Sequence, residues 1–116
     1  GRELLTREEI LHAARDLNAA GASIVIVSMG RTGCIATDGK HSWQATPPEI
    51  PFASAVGSGD ALVAAFIDAM LAGSDIPEAI RSGTAAGAAN ATTFGAGFVT
   101  KDSIETLKER VHVAKI

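Results

Sequence analysis

The residues best suited to chemistry run Ser54-Ala55-Val56-Gly57-Ser58-Gly59-Asp60 and pass directly into the apolar stretch Ala61-Leu62-Val63-Ala64-Ala65-Phe66-Ile67. Two glycines around a small serine make a bare turn, and the stretch after it has helical composition. A helix starting there points unpaired backbone N–H groups, and the positive end of its dipole, at any bound anion. An aspartate in that position would repel a phosphate unless it has another task. Taking a proton from a hydroxyl while the turn stabilises a migrating phosphoryl group is such a task. Asp60 is thus a general-base candidate, and the turn from Gly57 to Asp60 an anion-hole candidate. A plain helix cap is the other meaning, because Ser and Asp both cap well, and on the tetrapeptide alone it is the commoner one.

A second set, Ser28-Met29-Gly30-Arg31-Thr32-Gly33, follows a β-branched run. Ligands of open α/β sheets bind beyond the ends of such strands. Gly30 and Gly33 would let the backbone come close to a nucleotide, and Ser28 offers a hydroxyl. Standing alone, Gly-x-x-Gly after a strand is more often a tight turn. Arg31 could reach a phosphate or be a solvated turn residue, with the second favoured slightly.

The elements that must position these residues follow from local pattern. Thr6-Arg7-Glu8-Glu9 has capping-box spacing, Ile10, Leu11, Ala14 and Leu17 share a helical face, and Gly21 is a stop. Residues 23–28, Ser-Ile-Val-Ile-Val-Ser, read as a strand buried on both faces within a larger parallel sheet. Asp38-Gly39 between two short alternating segments predicts a hairpin, and residues 46–51 should be extended around their prolines. A helix from about Asp60 to Ala72 would bury Leu62, Val63, Phe66, Ile67, Met70 and Leu71 as one broad stripe, ending at Gly73. Asp75 or Ser74 caps the next helix, Ala79 to about Thr93, whose alanines and glycines should pack closely on the previous one. Thr100 could cap a last helix carrying Ile104, Leu107 and Val111.

A chain of 116 residues suffices for one small domain. Apolar residues make up 47% and aromatics only 4%, which favours close-packed helices and a small sheet over a β-sandwich. A net charge of −3 provides no basic surface for nucleic acid. Cys34 is the single cysteine and fits a reducing cytoplasm. No run approaches the ~20 apolar residues of a membrane span, and there is no signal-like start. His12, His41 and His112 are scattered and read as surface or packed histidines, so no zinc site is expected. Neither a Gly-x-Ser-x-Gly elbow nor a Walker-type phosphate loop is present.

Residues 54–67 resemble the second signature of the ribokinase-like, or PfkB, family of carbohydrate kinases. Ser28-x-Gly30-x-x-Gly33 is similar to the segment lining that family's ATP site, at the right distance upstream. The resemblance implies an α/β fold: the C-terminal portion of a ribokinase-like domain, with parallel sheet strands plus a β-hairpin, flanked by helices. It makes Asp60 the catalytic base and Gly57, Ser58 and Gly59 the anion hole. Ser28, Gly30, Gly33, Gly59 and Asn90 would bind the nucleotide, Asn90 lying with Ala86 and Ala89 where members place residues beside the adenine. Asn90 is equally well an ordinary helix-end polar residue. Gly95-Ala96-Gly97 would form a loop nearby.

ATP and Mg²⁺ are the implied cofactors, the ion held mainly by phosphates and water, with no metal ligand assigned to this chain. The implied substrate is a sugar or sugar phosphate, with the 1-phosphofructokinase and tagatose-6-phosphate kinase branch favoured. A nucleoside or vitamin kinase of the same fold, or a non-catalytic nucleotide-binding module, is the alternative. Cation-binding members carry a polar residue where this chain has Ala55, which counts against a potassium requirement. The chain begins Gly1-Arg2-Glu3, without an initiator methionine, and members run to more than twice this length. A fragment is therefore expected, with most sugar contacts, the lid and an Asn-x-x-Glu-type motif upstream, and inactive in isolation. A cytoplasmic location and a homodimer of the full-length protein fit the same reading, with no nucleic-acid or membrane partner.

Overall fold

Thr6 opens the first helix, α1 (Arg7–Ala19), as its spacing requires: its hydroxyl accepts from the N–H of Glu9, while the Glu9 carboxylate accepts from the N–H of Thr6. That second bond, with the Thr6 hydroxyl's own, holds the exposed Glu9 carboxyl below its usual range. The chain leaves the helix through Gly21, whose φ of 124° suits a residue without a Cβ. The computed structural model describes residues 6–29, 33–48, 58–91 and 101–116. Beyond α1 come β1 (Val25–Ser28), β2 (Cys34–Thr37), β3 (Ser42–Thr46), α2 (Ser58–Leu71), α3 (Ile76–Ala91), α4 (Lys101–Lys108) and β4 (His112–Lys115).

The four strands form one sheet in the order β1-β2-β3-β4, with every pairing antiparallel. The expected hairpin is β2–β3. The Asp38 carboxylate accepts from the N–H of Lys40 and of His41, bonds that keep its carboxyl below the usual range, the His41 bond contributing most. Gly39, at φ 95°, completes the turn. The parallel partner expected for β1 is not among the described strands. Double-sided burial also falls elsewhere: β1 is only half-buried at the sheet edge, whereas all four residues of β2 are buried. Position decides this, because an inner strand has a layer over each face and neighbours on both sides.

Alternation along β2 assigns its faces. Thr37 and its β3 partner Ser42 lie under α1, where Asn18 donates to the Thr37 carbonyl and Arg15 to the Ser42 hydroxyl. Cys34, Ala36 and Ala45 instead join Leu62, Phe66, Ala79, Ile80 and Val111 in the main core beneath the other helices. α3 lies against β2, β3 and β4, with α2 and α4 packed on it. Asp75 caps α3, its carboxylate accepting from the N–H of Glu78. Arg81 donates to the Val111 carbonyl at 2.6 Å, and Lys108 pairs with Glu78 at 3.1 Å, fastening α4 and β4 to α3.

Close approach of α2 and α3 is borne out at Gly83, where a Cβ would stand 2.8 Å from the Leu62 carbonyl oxygen. Gly83→Ala therefore gains helix propensity worth about 1 kcal/mol but forces two backbones apart, at about 1–3 kcal/mol. The expected net result is a lower urea midpoint, and an unchanged or higher one would refute the contact.

Two expectations need correction. The stripe on α2 is not wholly buried: Leu62 and Phe66 are, but Val63, Ile67 and Leu71 are 47%, 51% and 83% exposed. α3 covers one side of α2, and no described residue covers the other. Val111 does not belong to the last helix, which stops at Lys108; it is buried in the turn before β4, a strand the helical spacing of Ile104, Leu107 and Val111 concealed. The extended segment expected at 46–51 lies partly outside the described residues, as does Thr100. His12, His41 and His112 are all exposed.

Candidate active site

α2 begins at Ser58, so Asp60 sits inside its first turn rather than at the cap. The backbone N–H groups of Ser58, Gly59 and Asp60 belong to the set that a helix leaves without internal partners. Gly59 and Asp60 are exposed, and among the described residues a Cβ placed on Gly59 would meet nothing within 4 Å. An exposed carboxylate beside free space and outward-facing donors is the arrangement that proton abstraction next to a phosphoryl group needs. Gly57, Gly30 and Arg31, together with Gly95-Ala96-Gly97, lie outside the described residues.

Ser28 is exposed at the C-terminal end of β1, paired with Cys34 across the sheet. The loop between them is closed at its base, where the Met29 N–H donates to the Gly33 carbonyl at 2.7 Å. Gly33 itself is buried at φ 99°, and a Cβ there would collide with the Ala45 carbonyl oxygen. In this structure its lack of a side chain serves strand packing.

Asn90 is buried near the end of α3, beside Ala86, Ala88 and Ala89. The short turn at 72–75 makes α2 and α3 antiparallel neighbours, with Leu62 and Phe66 against Gly83. One turn back along α2 reaches Gly59 and Asp60, while α3 runs on past that level to Asn90. The helices' contact with the sheet ties this end to the strand ends: the Cys34 Sγ and Thr84 Oγ1 lie 3.4 Å apart, both buried. Gly59 and Asp60 at the start of α2 and Asn90 near the end of α3 thus lie at one end of this helix pair, while Ser28 and Gly33 flank the β1–β2 connection next to Cys34. Burial pushes the Cys34 thiol up, partly offset by the Thr84 hydroxyl, so it remains a thiol and not a reactive thiolate.

The Thr84–Cys34 contact escaped sequence reasoning. Its one signal is that Thr84 is the polar side chain in the run Gly83-Thr84-Ala85-Ala86-Gly87-Ala88-Ala89. A cavity of about 500 Å³ lined by Asp68, Ser74, Ser82 and Lys108 lies towards the other end of α2, away from Asp60.

A family model described as the pfkB family carbohydrate kinase matches residues 1–103. The chain is 46% identical over 85 residues to a 1-phosphofructokinase of Rhodobacter capsulatus, covering 73% of this chain and 27% of that protein. It is 33% identical over 100 residues to a D-tagatose-1-phosphate kinase of Bacillus licheniformis, covering 86% of this chain and 33% of that protein. Among solved structures, the phosphofructokinase-2 of Escherichia coli in complex with substrates and products superposes with a TM-score of 0.86 at 29% identity, covering 94% of this chain and 36% of that one. The chain belongs to the PfkB family of carbohydrate kinases, with a ribokinase-like α/β fold. It spans about a third of the length of the relatives it matches.

Proposed function

We propose that this chain is the nucleotide-binding and catalytic-base part of a single ribokinase-like domain, in a protein that transfers the γ-phosphoryl group of ATP to a sugar or sugar-phosphate hydroxyl. The observation that carries the reading is the exposed Asp60 in the first turn of α2, beside the open ground at Gly59. The Asp60 carboxylate takes the proton of the attacking hydroxyl. The first-turn N–H groups, with Gly57 ahead of them, hold the charge that develops on the phosphoryl oxygens. Ser28, Gly30, Gly33 and Asn90 surround the nucleotide.

Among the described residues no three His, Cys, Asp or Glu side chains converge. Mg²⁺ would be held mainly by the triphosphate and water, neutralising its charge, and no ligand from this chain is proposed for it. No helix among the described residues is long and apolar enough to cross a membrane. We propose a cytoplasmic location, a reducing setting that suits the single cysteine Cys34.

A hexose phosphate is the favoured acceptor, supported by the identity to a 1-phosphofructokinase. The test offers the full-length protein ATP with fructose 1-phosphate, tagatose 1-phosphate, tagatose 6-phosphate, ribose or adenosine. ADP release stimulated by a phosphosugar is the expected result. Preference for adenosine makes it a nucleoside kinase instead, and ATP binding without turnover on any acceptor makes it a non-catalytic module.

A further inference from the structure

We infer that the exposed apolar face of α2 is the seat of the remainder of the same ribokinase-like domain, which thereby walls the acceptor side of Asp60. The inference rests on the kinase reading and deepens it by naming what covers α2.

A helix side that faces water carries charge. The exposed side of α1 does so, with Arg7, Glu8, Glu9, Arg15 and Asp16. On α2 the only charged residues are Asp60 and Asp68, while Val63, Ile67 and Leu71 stand exposed. Steps of four residues set these three in one row along the helix. The opposite side is already covered by α3, with Leu62 and Phe66 against Gly83. A helix apolar on both sides belongs between two layers, and one layer is present.

The occupant follows from chain length and from a second unpartnered surface. Of this chain 94% superposes on a phosphofructokinase-2 of which it makes up 36%, so most of such a fold has still to be placed. β1 lies at the edge of the sheet with Val25, Ile26 and Val27 half-buried. A bare strand edge and a bare helix face on one small unit are what a cut through a shared core leaves. Pairing of two copies accounts for one self-complementary patch only.

Asp60 stands on that same helix face, with Val63 three residues on, Ala64 four and Ile67 seven. The row thus runs up to the carboxylate from Leu71, about 16 Å away along the axis. Side chains of a helix lean towards its N-terminus, which turns Val63 towards Asp60. A cover over the row therefore ends about one turn from the carboxylate and closes that side of it against water. The acceptor hydroxyl lies between Asp60 and this cover, so docking of the remainder sets its distance to the base. Ser28, Gly33 and Asn90, proposed for the nucleotide, lie outside α2.

The experiment takes Val63→Ala and Leu71→Ala in the full-length protein. Leu71→Ala should lower the melting temperature by about 4–10 °C, equally at low and high protein concentration and with an unchanged oligomeric state. Ile67→Val removes one methylene and should lower it by about 1–4 °C, which keeps the test readable if Leu71→Ala does not fold. On a solvated face Leu71→Ala would leave the melt unchanged or raise it, since Ala is the better helix former, and that result overturns the proposal. A loss that shrinks as the protein is concentrated, or a variant that sheds a subunit, gives the face to a second copy and overturns it too. Val63→Ala should raise KM for the sugar phosphate about three- to tenfold, with KM for ATP within about twofold. Leu71→Ala, assayed well below its melt, should leave both within about twofold. No sugar effect in Val63→Ala, an equal rise for both substrates, or as large a sugar effect in Leu71→Ala overturns the link to Asp60. Absence of ATP-dependent turnover by the unsubstituted protein overturns the kinase reading and that link, while the melts still decide what covers α2.

Discussion

Asp60→Asn in the full-length protein is expected to lower kcat by at least ~100-fold, with KM for ATP nearly unchanged. A factor of 100 corresponds to about 2.7 kcal/mol of transition-state stabilisation, the low end for removal of a general base. The substitution is close to isosteric and leaves every proposed nucleotide contact in place. What it removes is the capacity to accept a proton from the sugar hydroxyl. The competing meaning of Asp60, an acidic residue favouring the positive end of α2, predicts the reverse pattern. It would cost about 0.3–1 kcal/mol of stability and leave kcat alone. Steady-state kinetics beside a thermal melt separates the two: a kinetic collapse with an unchanged melting temperature supports the base, and a lowered melting temperature at full kcat supports the helix role.

The helix start ahead of Asp60 was legible in the sequence because it follows local rules. A glycine turn running into an apolar stretch predicts a helix start, and the helix does start there, at Ser58. The Thr6 capping box, the Asp38-Gly39 hairpin and the Asp75 cap were legible for the same reason, each depending on residues within four positions. What was not legible depends on which layers lie where. Ile24, Val25, Ile26 and Val27 have the apolar signature of a doubly buried strand, yet β1 is half-buried at an edge. Cys34, Ile35, Ala36 and Thr37 form a short and weakly apolar segment, yet β2 is fully buried. Val63, Ile67 and Leu71 satisfied the helical pattern of a core face, but a pattern cannot say whether anything covers it. Since the chain spans about a third of its relatives' length, the rest of a full-length protein is where cover for α2 and a partner for β1 would be sought. At the site, residue types were readable and their assembly was not. Nothing in the spacing of Cys34 and Thr84, fifty positions apart, links the loop to α3.

The second large effect is one of stability, at Gly33. Its backbone sits at φ 99°, where any residue with a Cβ is strained by about 1–3 kcal/mol. A Cβ would in addition collide with the Ala45 carbonyl oxygen and stand 2.9 Å from the Ala45 carbonyl carbon, so the opposing atoms are backbone and cannot rotate aside. β2 and β3 would have to part at the Cys34–Ala45 pair, next to the Cys34–Thr84 contact. Overpacking of this kind adds about 1–3 kcal/mol, for a total on the order of 2–6 kcal/mol. Gly73 provides the control, because it has a similar φ of 97° but open space around it. Gly73→Ala carries the strain without the collision and should cost only about 1–3 kcal/mol. Chemical denaturation of the two variants side by side decides the matter. Gly33→Ala should lose clearly more stability than Gly73→Ala, and equal losses would mean that β3 does not press on Gly33 and that its φ alone accounts for the glycine. The same collision bears on function, since the loop closed by Gly33 ends at the residue opposite Ser28. A Gly33→Ala protein that survives at low temperature should therefore bind ATP more weakly than Gly73→Ala, whose substitution lies at the far end of α2 from Asp60.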